Sequence, residues 1–189
     1  ECGENLPGIQ CAGIGAAVKT DAHYSIVMSV LQCADINLAD LECLLGRFGL
    51  VVHLVEKDQP IPGSWFGDSE AGLIDNILYV RNDTPVHSAL HESCHYICMD
   101  STRRGQLHTN AGGDYAEENG VCYLQILLAD FIPGFGRDRA FSDMDAWGYT
   151  FRLGSSRAWF EEDAEDTVAW LLEHGLIDAE QKPCWILRS

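Results

Sequence analysis

The sequence predicts an α+β domain in which a small mixed β-sheet packs on a histidine-bearing helix, with a second, acid-bearing helix alongside. Three observations carry this expectation. The runs at 50–55 and 71–81 are short and β-branched or alternating, the make-up of strands rather than helices. A well-started helical segment at 85–98 contains His91-Glu92-Ser93-Cys94-His95. A third segment, beginning at Asp114, carries Glu117 and Glu118 in its first turn. At 189 residues the chain is expected to form one domain over 1–189, with a loose Gly-rich lead-in at 1–19, a core at 49–133 and a helical extension at 134–189.

In chain order, Thr20-Asp21 caps a helix expected over 20–35, where Tyr24, Val27, Met28 and Leu31 share one face. Asn37 caps a short helix at 38–45 that Gly46 ends. The strand at 50–55 follows, then a loop marked by Pro60, Pro62 and Gly63. Residues 71–81 read as extended chain, a hairpin turning at Asp75-Asn76. Thr84-Pro85 offers a cap and a first-turn proline for the helix at 85–98. The polar stretch 100–113, with three glycines, reads as a loop. From Asp114 a helix runs to about 130, before Ile132-Pro133-Gly134. A last helix is expected over 157–174, stopped by Gly175, with Glu161, Glu162, Asp163, Glu165 and Asp166 on a solvated face.

Lys and Arg number 12 against 29 Asp and Glu, a net charge of −17. Such a surface repels phosphate backbones and anionic lipid, and the basic clusters Arg103-Arg104 and Arg137/Arg139 are too small to reverse that, so neither nucleic acid nor membrane is an expected partner. No apolar run approaches the ~20 residues of a spanning helix. The 8 cysteines form no C-x-x-C pair and are too sparse for a disulfide scaffold, so they are expected to be reduced packing residues. With no basic segment leading into an apolar one at the start, the expected compartment is cytoplasmic.

Spacing by four brings His91 and His95 onto one helical face a turn apart, where both imidazoles can bind one zinc ion. Glu92 projects about 100° away, so it does not compete as a ligand and can work on water instead. This is the content of the H-E-x-x-H pattern. A third ligand is then needed. Position 101 is Ser and no Gly occupies 98, which excludes the metzincin arrangement of a third histidine. The following helix offers Asp114, Glu117 and Glu118. Glu117 leads because it shares a face with Val121, Leu124 and Leu128; Glu118 lies on the face of Cys122 and Gln125, and Asp114 is better explained as the cap.

This arrangement resembles the gluzincin branch of zinc metallopeptidases, especially the minigluzincins and the ImmA/IrrE-type peptidases. There a strand leads into the H-E-x-x-H helix, and the next helix has the form E-x-x-A-x-x-F-A-x-x-L-L. Here Glu117, Gly120, Tyr123, Leu127 and Leu128 stand in that frame, with Pro133 soon after. The resemblance covers roughly 49–133, and Ser93-Cys94 replace the usual Leu/Ala-Gly. It implies a zincin-like fold, His91, His95 and Glu117 as zinc ligands, and Glu92 as general base. The stretch 112–116 is also similar to deuterolysin-type peptidases, whose third ligand is Asp, which keeps Asp114 open.

The expected function is zinc-dependent hydrolysis of a peptide or protein substrate, with Zn2+ as cofactor and Glu92 accepting the proton of the zinc-bound water. His108, Tyr115, Tyr123 and His174 are the candidate oxyanion partners, and 76–81 the candidate rail for substrate. His87 is expected at the surface or behind the ligands. Cys94, Cys98 and Cys122 are expected to pack rather than ligate. A non-catalytic zinc-binding regulatory or interaction domain is the alternative; it has no need of Glu92, which favours the enzyme.

Overall fold

A computed structural model describes residues 29–65, 67 and 69–189. The helix expected at 20–35 lies mostly outside the described residues, as does the lead-in at 1–19. Its remaining part is not α-helical. Gln32 is extended and bridges Pro85, and a single 3-10 turn follows at Cys33–Asp35. This segment is fixed by partners far along the chain: Cys33 N–H donates to Thr84 O, and Leu31 N–H to the Asp143 carboxylate.

Helix α1 (Leu38–Gly46) starts at Asn37, whose side chain accepts from Ala39 N–H. Strand β1 (Val51–Leu54) leads to the loop and then to β2 (Gly72–Ile74) and β3 (Ile77–Val80), the expected hairpin, with Asp75 at φ 51° in its turn. The sheet is mixed, in the order β1-β3-β2: β1 pairs parallel with β3, and β2 antiparallel. This corrects the expectation of a substrate rail at 76–81. β3 is the central strand, hydrogen-bonded on both sides, and has no free edge to offer. Gly72 is obligatory, since a Cβ there would lie 2.0 Å from Pro62 O, a backbone atom that cannot step aside.

Helix α2 (Val86–Cys98) begins one residue later than the Thr84-Pro85 reading implies. Pro85 occupies the cap position, and Thr84 instead uses its hydroxyl to accept from Arg81 N–H in the preceding turn. All of α2 is buried, with β2 and β3 on one side and α4 (Tyr115–Ala129) on another. The polar loop before α4 contains one helical turn, α3 (Ser101–Arg104), because Asp100 accepts from Thr102 and Arg103 N–H. Asp114 caps α4 by accepting from Glu117 N–H.

Beyond 133 the chain holds three helices separated by non-helical stretches, divided otherwise than expected. Helix α5 (Gly136–Trp147) was not anticipated; its buried apolar residues are Ala140, Phe141 and Met144. The helix expected at 157–174 is two, α6 (Ser156–Glu162) and α7 (Glu165–Glu173). Asp163 breaks it, with φ −145° and its carboxylate paired with Arg152. Gly175, at φ 68°, stops α7. Among the described residues, no helix is long and apolar enough to cross a membrane.

Candidate metal centre

Helices α2 and α4 pack so that one face of each carries the polar side chains of the site. His91 and His95 aim their Nε2 atoms at each other, 3.1 Å apart, with rings nearly perpendicular. Glu118 Oε2 lies 3.7 Å from His95 Nε2. Donor atoms of His91, His95 and Glu118 fall within 4.8 Å of one another, a group that could hold a metal ion.

Each member is held from behind. Gln125 Oε1 lies 2.7 Å from His91 Nδ1. A carboxamide oxygen only accepts, so Nδ1 carries the proton and Nε2 presents its lone pair. Glu118 Oε1 accepts from Gly113 N–H at 2.9 Å, which leaves Oε2 for the histidines. Burial holds both imidazoles down to about 4, His91 with the further help of His95, and His95 with that of Arg103. Both are therefore neutral at ordinary pH, the form that ligates. His95 Nδ1 is buried with no hydrogen-bond partner. Two neutral imidazoles facing one point beside a carboxylate, with a buried nitrogen unsatisfied, are poor hydrogen-bonding company but a sound donor set for a cation.

Glu117, the expected third ligand, is not part of this group. Both its oxygens accept from Arg103 Nη1, at 2.7 and 2.8 Å, and Oε2 also from Arg188 Nη1 at 2.9 Å. The helical phase explains the exchange. The face of Glu117, Val121, Leu124 and Leu128 is buried as anticipated, but α2 carries its histidines along the neighbouring face, where Glu118 and Gln125 stand two turns apart. Asp114 is the cap alone. Glu92 is buried beside the histidines and lines the same cleft; burial, then Glu70 and Glu118, push its carboxyl up to about 8.

A cleft of about 330 Å³ opens on the group, lined also by Trp65 and the strip 109–113. Arg103 secures this strip, Nη2 donating to Ala111 O and Gly112 O. Of the expected oxyanion partners, His108 adjoins the cleft through Thr109, with which it shares a hydrogen bond. Tyr115 is exposed on the first turn of α4, Tyr123 bonds Gln181, and His174 bonds Trp170 O. His87 is no surface residue: it is 1% exposed, edge-on to Trp147 and Tyr149, and neither ring nitrogen has a partner. Cys94, Cys98 and Cys122 are buried and outside any disulfide, and burial raises the first two.

Sequence reasoning passed over Gln125, Gly113, Arg103 and Tyr149, the last packed edge-on to His91. Gln125 had left a trace, on the helical face of Glu118 and as the one polar residue within the apolar run 121–128. Comparison with protein-family models, with curated proteins and with solved structures gives no significant match.

Proposed function

We propose that the chain is a zinc-dependent peptidase that hydrolyses peptide bonds in the cleft beside His91, His95 and Glu118. The observation that carries this reading is the convergence of the two imidazole nitrogens and the free Glu118 oxygen on a cleft that Glu92 also lines. Two histidines and a carboxylate are the ligand set of catalytic rather than structural zinc, which keeps a position for water or substrate. Bound there, zinc would supply Lewis-acid polarisation of a carbonyl and a more acidic water.

The rest of the chemistry falls to the chain. Glu92 is not a ligand; its carboxylate lines the cleft beside the donor group, placed to accept a proton from water and deliver it to the departing amine. Gln125 keeps His91 in one tautomer, and the Gly113 N–H keeps Glu118 turned inward. The nearly side-chain-free strip at 111–113 lets a substrate backbone come close.

The test is metal analysis followed by peptidase assay. Protein purified without chelators or a histidine tag should hold about one zinc per chain, lost in His91→Ala. Glu92→Gln should keep the metal and lose activity by at least about 100-fold. Full activity in either variant would refute the proposal.

A further inference from the structure

Trp65 is 60% exposed and is the largest side chain lining the cleft. Among the described residues its ring stacks on no other aromatic. An indole left open at a concave site is a binding surface awaiting an apolar partner. The other lining residues away from the metal group are Thr109, Asn110, Ala111, Gly112 and Gly113. Their small side chains leave main chain to contact main chain, and Arg103 fixes the carbonyls of Ala111 and Gly112. Contacts of that sort accept any sequence, so discrimination between substrates falls to the one large side chain.

About 330 Å³ is at the low end for a ligand pocket, room for a short stretch of peptide around one bond.

We infer that the cleft takes an extended peptide by an apolar or aromatic side chain next to the scissile bond, packed on Trp65. The inference rests on the peptidase reading for its cleavage arm, but not for its binding arm.

The experiment uses blocked Ala/Gly heptapeptides carrying one Phe, Leu, Ala or Glu beside the central bond. Zinc-loaded wild type, Trp65→Phe and Trp65→Ala are compared for cleavage. Binding is measured by calorimetry on the same three in a Glu92→Gln background. Phe and Leu peptides should be bound and cut about 10-fold better than Ala or Glu peptides. Trp65→Ala should erase the Phe-over-Ala preference while leaving zinc content and melting temperature unchanged, and Trp65→Phe should keep most of it. Selective binding lost in Trp65→Ala, without any cleavage, would support the role of Trp65 and overturn the peptidase reading. Cleavage with no preference, or with the preference intact in Trp65→Ala, would overturn this inference alone. Neither binding nor cleavage of any peptide would overturn both.

Discussion

Gln125 accepts a hydrogen bond from His91 Nδ1 at 2.7 Å, deep between α2 and α4 and two turns along α4 from Glu118. The contact sets which nitrogen of His91 faces the cleft. Gln125→Leu should weaken zinc binding by about 10–100-fold without displacing the helices, and Gln125→Glu should restore or exceed wild-type affinity. Competition with a chelator, read alongside far-UV circular dichroism, checks this; unchanged affinity in Gln125→Leu would deny the orienting role.

Glu117 and Glu118 are adjacent in sequence and should behave oppositely. Glu118→Gln removes a candidate ligand and should cost more than ~100-fold in zinc affinity, with little change in metal-free stability. Glu117→Gln leaves two guanidinium groups facing a neutral amide and should destabilise the fold by about 2–4 kcal/mol while keeping zinc stoichiometry, the lower end being favoured because Arg103 is partly exposed. Denaturant unfolding and metal titration of the two variants separate the cases.

His87 makes the fold sensitive to acid. Burial, and then His91, lower it from 6.5 to about 3. Between those values the unfolded chain binds a proton that the folded chain refuses, so stability is full above about pH 6.5 and falls as pH drops toward 3. Near pH 5 the loss from this one group is about 2 kcal/mol. His87→Phe should remove that share of the difference between pH 5 and 7.5 and spare two unpaired buried nitrogens. Urea midpoints at about pH 5 and 7.5 measure it, and parallel wild-type and variant curves would refute it.

Gly120 lies under the Trp170 ring, and an added Cβ would sit 2.6 Å from Cζ3 and 2.8 Å from Cε3. Alanine would gain about 1 kcal/mol of helix propensity, yet Gly120→Ala should destabilise by about 1–2 kcal/mol net, because α7 must shift. Trp170→Leu in the same chain should recover the propensity gain, a coupling that a double-mutant cycle reads directly.

What the sequence made legible was what local chemistry decides. Asn37 and Asp114 cap, Gly175 stops, Asp75-Asn76 turns, and the H-E-x-x-H pair shares a face because of helical spacing alone. The fold class followed from those elements. Lost were relations that depend on where distant segments approach. Glu117 is inward-facing, as read, but Arg103 and Arg188 wait for it there, while the direction from which α2 meets α4 gives the histidines to Glu118. Gln125 was legible on the face of Glu118, but nothing local says that His91 comes to that face. The single helix at 157–174 failed at Asp163, whose partner Arg152 lies beyond any periodicity within that segment.

Arg188 reaches back to three helices: its N–H donates to Ile97 O and its guanidinium to Cys98 O in α2, the guanidinium also to Glu117 in α4, and its carbonyl receives Arg104 of α3. During synthesis α2 and α4 leave the ribosome long before this residue does. Until then Glu117 has Arg103 as its sole cationic partner of the pair, and the C-terminal turn of α2 lacks its clasp. The C-terminal turn of α2 is therefore completed by a residue 90 positions further along the chain, and a chain stalled before Arg188 contains every candidate ligand yet lacks the brace that steadies the helix bearing two of them.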